Sequence, residues 1–183
     1  MKRLLHSKKA WEVKAVPVIT NTTLVSNFAA IGQLNLLHLC LESLYIPEQV
    51  YNEILDGRLQ GYTFYENIER EISPLTQGGW LLLTSLQSPD EFRLFSDLLG
   101  DLHHGEAACL AIAAQRKWVF LSDDRAARRA AGKLDVSVSG TLGVLVSLVK
   151  RGLIKGEEGD LALQAMVSKG YFSPVRSIAE LIL

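Results

Sequence analysis

The second half of the chain alternates short apolar segments with longer helical patterns, and this alternation restricts the possible folds more than any other feature. The apolar segments are WVFLS at 118–122 and VSVS at 136–139. Short runs of β-branched and aromatic residues are typical of strands covered on both faces. Strands joined by single helices form right-handed crossover units, in which neighbouring strands are parallel. The pattern therefore predicts an α/β fold around a mainly parallel sheet.

The first half of the chain shows the same alternation less regularly. Its aliphatic runs predict strands at 16–20, 44–47 and 79–86. Polar caps followed by spaced apolar residues predict helices at 21–32, 34–41, 47–57 and 88–100. At 58–77 the sequence predicts one helix and a loop, and no functional role is assigned to this segment. Two further helical segments, at 156–172 and 173–183, are predicted to cover the domain or to form an oligomer surface.

Length and composition fit one soluble domain with a helical extension. The chain has 183 residues, of which 48% are hydrophobic and 21% are charged, the balance of an ordinary soluble protein. No apolar run approaches the ~18 residues of a membrane span. The basic segment 1–15 has no continuous apolar core of the kind that secretory signals contain. We therefore expect a cytoplasmic protein without membrane contact, in which Cys40 and Cys109 are reduced thiols.

Polar residues follow the predicted strands at the points where the strands end. Asn21 follows the first strand, Asp123 and Asp124 follow the strand at 118–122, and Thr141 comes shortly after the strand at 136–139. In an open parallel sheet, ligands bind beyond the carboxyl ends of the strands. We therefore expect these side chains to contribute to one site.

Two glutamates on predicted helices extend this candidate site. Glu53 lies on the helix at 47–57, and Glu106 opens the helix before the Asp123–Asp124 pair. Carboxylates from separate elements suit a hard divalent cation, because Mg²⁺ takes oxygen ligands and keeps several waters. A cation held in this way orients a water molecule and neutralises charge that develops on a phosphate. No phosphate-binding loop, dinucleotide fingerprint, zinc-protease motif or serine-hydrolase motif is present.

Each candidate also has a purely structural explanation. Asn21 is a suitable N-cap, Glu106 is a first-turn acid favoured by the helix dipole, and one aspartate of the pair at 123–124 caps the next helix. Glu53 is compatible with an exposed helix position. The adjacent aspartates exceed what one cap requires, so Asp124 is the strongest candidate for a functional acid.

Three arginines occupy one face of the helix that begins after the aspartate pair. Arg125, Arg128 and Arg129 are spaced i, i+3 and i+4. They form either a solvated face or a surface that contacts the phosphates of a substrate. Because the formal net charge is −1, any nucleic-acid surface has to be a local patch of this kind.

Five sequence blocks, taken in order, resemble the PIN-domain family, in particular a prokaryotic branch of it. The blocks are VITNTTLVSNFAAIGQLNLL, YIPEQVYNEIL, LHHGEAACLAIA, VFLSDDRAARRAA and VSGTLGVLVSLVKRGLI. The resemblance covers residues 16–155. It implies a three-layer α/β/α domain there, preceded by the basic segment 1–15 and followed by a helical C-terminal extension at 156–183.

The resemblance also implies an activity and the residues that perform it. PIN domains are ribonucleases that bind Mg²⁺ or Mn²⁺ through clustered acids, and many are the toxin of a toxin–antitoxin pair. By motif, the catalytic positions fall on Asn21, Glu53, Glu106 and Asp124. Asp123 joins Asp124, Glu106 and Asn21 as a metal ligand. Thr141 matches a polar position in the same pocket and joins the three arginines as a substrate contact. The expected partners are RNA, a small antitoxin-type protein and a second copy in a homodimer.

Asn21 departs from the family pattern, because aspartate is the usual residue at that position. An amide keeps one oxygen acceptor but removes a charge that offsets the cation. Two functions therefore remain open. One is a divalent-metal-dependent ribonuclease, and the other is a catalytically weak module that binds RNA or a small partner protein.

Overall fold

A six-stranded parallel sheet forms the centre of the molecule. The computed structural model describes residues 16–182, so the basic segment 1–15 lies outside the described residues. The strands are β1 Val18–Thr20, β2 Leu44–Pro47, β3 Ile72–Ser73, β4 Leu81–Thr84, β5 Val119–Leu121 and β6 Val138–Ser139, in the spatial order β3-β4-β2-β1-β5-β6. Every pairing between them is parallel. The α/β fold expected from the sequence is confirmed.

Eight α-helices of the described chain cover this sheet. They are α1 Thr22–Ala29, α2 Leu34–Cys40, α3 Glu48–Leu59, α4 Pro89–Leu98, α5 His104–Arg116, α6 Arg125–Lys133, α7 Thr141–Lys150 and α8 Gly156–Ser168. Helix α5 packs against both α3 and α4, and helix α7 packs against both α2 and α8. The three-layer α/β/α arrangement implied by the resemblance is confirmed. None of the helices within residues 16–182 has the length and apolarity that a membrane crossing requires.

The central strands are apolar because helices cover them on both faces. Ile19, Ile46, Leu81 and Phe120 are fully buried, and side chains on both faces of such strands have no contact with water. Alternation of apolar and polar residues is therefore absent. The apolar runs that predicted strands in the sequence are the result of this double coverage.

The order of the strands creates a crevice at one edge of the sheet. The chain extends the sheet from β1 through β2 and β4 to β3, and then crosses to the other side of β1 to add β5 and β6. Strand order thus reverses between β1 and β5, which are paired directly. In open α/β sheets such a reversal leaves a crevice beyond the carboxyl ends of the two strands. The residues that follow β1 and β5 lie there.

The segment at 58–77 differs from its prediction. Instead of one helix and a loop, it contains two short 3-10 helices, at Thr63–Tyr65 and Ile68–Glu71, and the edge strand β3. Asn67 separates the two turns with a left-handed backbone of φ 64°, which prevents one continuous helix.

Helix α3 also runs past its predicted end at Gly57. A Cβ at this glycine would lie 3.0 Å from a ring carbon of Tyr65. Gly57 therefore serves close packing inside the helix and does not terminate it. The glycine was read as a stop signal, which was wrong.

The C-terminal residues pack into the same core as the sheet. Leu163 and Met166 of α8 belong to the main apolar cluster, as does Ile178. The segment at 173–183 contains a single 3-10 turn at Ile178–Leu181, shorter than the helical segment predicted there. The C-terminal part thus covers the domain.

Helix α4 buries an acid. Phe92 and Leu99 are exposed, whereas Glu91 is almost fully buried. Glu91 accepts hydrogen bonds from Nε of Arg116 at 2.7 Å and from the backbone N–H of Gln87 at 2.5 Å. The Arg116 guanidinium holds the pKa of Glu91 below its usual value. This ion pair joins α4 to the end of α5.

We expect Glu91→Gln to lower the free energy of unfolding at pH 7 by about 1–3 kcal/mol, because a hydrogen-bonded charge pair is lost from a buried position. Since folding lowers the pKa of Glu91, the ion pair stabilises the protein fully at pH values above the pKa of an unfolded glutamate, about 4.3. It disappears as the pH falls through the folded-state pKa. Urea unfolding of the parent and the variant between pH 3 and pH 7 measures the difference.

Asp90→Asn is the matched control, since Asp90 lies on the same helix and forms an exposed ion pair with Arg93. Exposed pairs contribute about 0–1 kcal/mol. Equal losses in the two variants would contradict a special contribution from the buried pair.

Candidate active site

The pairing of β1 with β5 brings two polar residues together at the carboxyl edge of the sheet. Thr20 and Leu121 are paired in register, so the next residues, Asn21 and Ser122, are neighbours. The Asn21 side-chain amide donates to Oγ of Ser122 at 3.1 Å. The same Oγ accepts from the backbone N–H of Asp124 at 3.2 Å. Ser122 thus connects Asn21 to Asp124, and both Asn21 and Ser122 are buried.

Asn21 has a structural role and a site role at once. Its Oδ1 accepts from the backbone N–H of Leu24 at 3.4 Å, as the N-cap of α1. Its Nδ2 donates to Oε1 of Glu106 at 3.5 Å. The N-cap explanation of Asn21 therefore holds, and the same side chain also contacts Glu106, whereas its functional role stays a prediction. A hydrogen-bond donor faces Glu106 at the position where the family carries a carboxylate.

Glu106 is the acid of the site with the least favourable surroundings for a charge. It lies in the first turn of α5, where its Oε2 accepts from the backbone N–H of His103 at 3.4 Å. Only 9% of the residue is exposed. Burial, and next the negative charge of Asp124, raise the pKa of Glu106 above its usual value. The charge of Asp124 therefore affects the protonation of Glu106.

Glu53 reaches the same helix end from α3. Its Oε1 accepts from the backbone N–H of Gly105 at 2.8 Å, and its Oε2 is hydrogen-bonded to the hydroxyl of Thr22. A carboxylate at a helix N-terminus satisfies an unpaired N–H and interacts favourably with the helix dipole. Glu53 thus lies next to Glu106 and fixes the first turn of α5.

The two adjacent aspartates have different environments. Asp124 is the N-cap of α6, and its Oδ1 accepts from the backbone N–H of Ala127 at 2.7 Å. Asp123 uses both oxygens: Oδ1 accepts from the backbone N–H of Thr141 at 3.0 Å, and Oδ2 from its hydroxyl at 2.5 Å. Nδ2 of Asn27 also donates to Oδ2 of Asp123, at 3.2 Å. Asp123 therefore ties the end of β5 to the start of α7.

Thr141 is fully buried. Its hydroxyl donates to Asp123 and accepts from Nδ2 of Asn27 at 3.0 Å. Gly140 leaves room for this pair, because a Cβ there would overlap Oδ1 of Asp123 in its present position. These contacts give Thr141 and Asp123 a positioning role, whereas metal binding by Asp123 and substrate contact by Thr141 stay predictions.

Within residues 16–182, Arg128 differs from Arg125 and Arg129 because its side chain is hydrogen-bonded to the backbone. Arg128 donates from one nitrogen to the backbone oxygens of Ser122 and Ser139, both at 2.9 Å. It therefore joins the ends of β5 and β6. All three arginines are exposed, and Arg125 lines a cleft together with Asp124. Phosphate contact by the three arginines stays a prediction, and one side-chain nitrogen of Arg128 is already used by backbone acceptors.

The oxygen atoms of the site match the chemistry of a hard divalent cation. Mg²⁺ is usually held by one or two carboxylates and several waters, and Glu106 with Asp124 supplies two. Within residues 16–182, no group of three or more histidine, cysteine, aspartate or glutamate side chains stands in metal-binding arrangement. A cation here would have at most two of these carboxylates as ligands, with water molecules completing its coordination. The metal and catalytic roles of Asn21, Glu53, Glu106 and Asp124 stay predictions.

Four residues near the site were not predicted from the sequence. Ser122 has no sequence feature that indicates a site role except its position at the end of a strand. Asn27 lies inside a helical pattern, which gives no indication that its side chain reaches the site. Tyr171 and Phe172 line the cleft of Asp123 and Arg125. Burial, and next the charge of Asp123, raise the pKa of Tyr171 above its usual range. No local pattern places this C-terminal segment beside the site, since its position depends on where α8 ends.

We expect Gly105→Ala to displace the Glu53 carboxylate while the fold is kept. A Cβ at Gly105 would lie 2.6 Å from Oε2 of Glu53, and a carboxylate at the end of a flexible side chain moves more readily than backbone. The loss of one hydrogen bond, about 0.5–1.5 kcal/mol, opposes the gain in helix propensity of about 1 kcal/mol. The midpoint of thermal unfolding should therefore change little, while a crystal structure should show Glu53 moved away from α5.

Gly132→Ala is the matched control, because Gly132 lies in α6 with no atom within 4 Å of the added Cβ. It should raise stability by about 0.5–1 kcal/mol. If the Gly105→Ala structure shows Glu53 still accepting a hydrogen bond from the backbone N–H of residue 105, this hydrogen bond does not depend on the glycine.

Comparison with known proteins agrees with the fold. A family model described as a PIN domain matches residues 17–183 and so includes the C-terminal helix α8. Neither the comparison with curated proteins nor the comparison with solved structures gave a match. PIN domains have a nuclease-type fold, bind nucleic acids and generally use divalent metal ions. Since the match spans nearly all of the chain, the protein belongs to the PIN-domain family.

Proposed function

We propose that this protein is a divalent-metal-dependent ribonuclease whose metal, Mg²⁺ or Mn²⁺, is held by Glu106 and Asp124. The observation that carries the proposal is the buried Glu106 at the crevice between β1 and β5, which Asn21 and Ser122 connect to Asp124 by hydrogen bonds. Two carboxylates close together in a poorly solvated position repel each other. A cation between them removes that repulsion, and a strand-end crevice is where α/β proteins bind ligands.

In this proposal the bound cation supplies an activated water molecule and neutralises charge on the phosphate. Glu106 and Asp124 hold it, and Asn21 orients Glu106 through its amide N–H. Glu53 keeps the first turn of α5 in place. Asp123 fixes the loop that carries Asp124 by its hydrogen bonds to the start of α7.

The finer biological assignments belong to the same proposal. The family resemblance supports RNA as the substrate, a toxin role with a small antitoxin-type partner, and a homodimer. Sedimentation of the purified chain tests the homodimer directly. A monomer at all concentrations would remove the homodimer from the proposal without affecting the metal site.

A second candidate function is a catalytically weak module that binds RNA or a small protein. Asn21 favours it, since the amide N–H faces Glu106 where family members carry a carboxylate, and the amide oxygen caps α1. With less negative charge, the site has a lower affinity for a cation. The two functions differ in whether metal and Asp124 are required.

We expect Asn21→Asp to bind Mn²⁺ about tenfold more tightly than the parent and to raise metal-dependent cleavage of RNA. The new carboxylate faces Glu106 across 3.5 Å, and like charges ~4 Å apart repel by roughly 4 kcal/mol at an effective dielectric near 20. A cation relieves this repulsion, so the metal-free variant should be less stable than the parent. Calorimetric titration with Mn²⁺ and cleavage of a fluorescent RNA measure both effects.

Asp124→Asn is the paired loss-of-function variant. An asparagine oxygen still accepts from Ala127, as Oδ1 of Asp124 does, so the cap and the fold remain. Cleavage should be lost while RNA binding without metal is kept. If Asn21→Asp neither binds metal more tightly nor cleaves faster, and Asp124→Asn equals the parent, the binding-module function replaces the nuclease.

We expect the double change Arg125→Ala and Arg129→Ala to weaken RNA binding equally for unrelated sequences, because phosphate contacts carry no base information. Each lost phosphate contact should reduce the slope of log K against log salt by about 0.7 for a single strand. Arg128 is left unchanged because it joins two strand ends. Arg93→Ala, on the exposed surface of α4, is the control, and an unchanged slope in the double variant would assign both arginines to a solvated face.

A further inference from the structure

The C-terminal segment returns to the candidate site after α8. Gly170 turns the chain with a left-handed backbone of φ 102°, and the backbone N–H of Tyr171 donates to the oxygen of Met166 at 3.0 Å. The turn places Tyr171 and Phe172 in the wall of the cleft that contains Asp124 and Arg125. The same two residues also line a second cleft, with Arg128 and the start of α7.

This segment is fixed at both of its ends. On one side Tyr171 is half-buried, near Asp123 and Arg128. On the other side Asp160 of α8 accepts from the backbone N–H of Ile178 at 2.6 Å and from the hydroxyl of Ser177 at 3.1 Å. An ordered segment holds its side chains in place before a ligand arrives, which lowers the entropy cost of binding.

Phe172 is nevertheless largely exposed. Its exposed fraction is 77%, whereas its neighbour Tyr171 is half-buried. The phenyl ring lines the same cleft as the cationic Arg125 and the candidate metal ligand Asp124. A ligand that suits this combination carries an anionic group and a flat, unpaired ring on neighbouring parts of one molecule.

We propose that Phe172 is a base-stacking residue of the RNA site, so that the substrate enters as unpaired RNA with one base on Phe172 and an adjacent phosphate near Arg125. Unpaired bases stack on aromatic side chains, and every base has a face for this contact. Bases within a duplex are stacked on each other and do not offer that face. This inference rests on the proposed function and adds to it a residue that selects unpaired substrate.

The test uses two short labelled RNA strands of equal length and charge, one with all its bases and one with abasic residues at its centre. Binding is measured by fluorescence anisotropy in EDTA, so that no cleavage occurs. The parent protein should bind the complete strand about five- to tenfold more tightly, the lower part of the range for one stacked base. Phe172→Ala should bind the two strands equally.

Two further variants separate stacking from a general effect of the change. Phe172→Trp should keep the preference for the complete strand, and its fluorescence should be quenched by that strand more than by the abasic one. Phe92→Ala is the matched control, because Phe92 is 55% exposed but lies on α4, outside the clefts that contain Phe172. It should keep the parent's preference.

The inference is overturned if the parent shows no preference between the strands, or if Phe172→Ala keeps the parent's preference. In either case the ring is assigned to a protein contact. Failure of the ribonuclease proposal gives a different result: the parent does not cleave RNA with Mg²⁺ or Mn²⁺, while the stacking preference measured in EDTA still depends on residue 172.

Discussion

The parallel pairing of β1 with β5 is the constraint on which the candidate site depends. Asn21 and Ser122 are 101 positions apart in the chain, yet their side chains are hydrogen-bonded. No local preference brings such distant residues together. The pairing is maintained by buried residues such as Ile19 and Phe120, so apolar burial in the sheet provides the free energy that holds the polar edge in place. The first polar residue after each strand then necessarily lies in the crevice where strand order reverses.

Charge compensation at this edge is uneven, and this unevenness supports the proposed position of the cation. Glu53 accepts a backbone N–H at the start of α5, and Asp124 accepts one at the start of α6. Asp123 accepts a backbone N–H and two side-chain donors at the start of α7. Glu106 has only the longer bonds, from His103 at 3.4 Å and from the Asn21 amide at 3.5 Å. Burial raises its pKa, so Glu106 is the acid that gains most from a positive charge nearby.

The sequence predicted those parts of the molecule that follow from local pattern. Strands appeared as apolar runs, and the strand-end rule placed the acids at one edge of the sheet. Residues 58–77 were not predicted correctly, because the packing of Tyr65 against Gly57 and the turn at Asn67 have no periodic signature. The role of Ser122 as a common hydrogen-bond acceptor was also absent from the pattern. Phe172 reaches the site only because α8 ends where it does, and that is a property of tertiary packing.

The Asn21 amide both caps α1 and donates a hydrogen bond to Glu106, and a carboxylate could not do both. The amide oxygen is used by the N-cap of α1 and the amide N–H by Glu106. A carboxylate could still provide the cap, but it would add repulsion toward Glu106. In the proposed nuclease the cation therefore relies on Glu106 and Asp124, and water molecules complete its coordination, as Mg²⁺ prefers. In this proposal the amide removes part of the repulsion toward Glu106, which stabilises the metal-free site and also lowers its affinity for the cation.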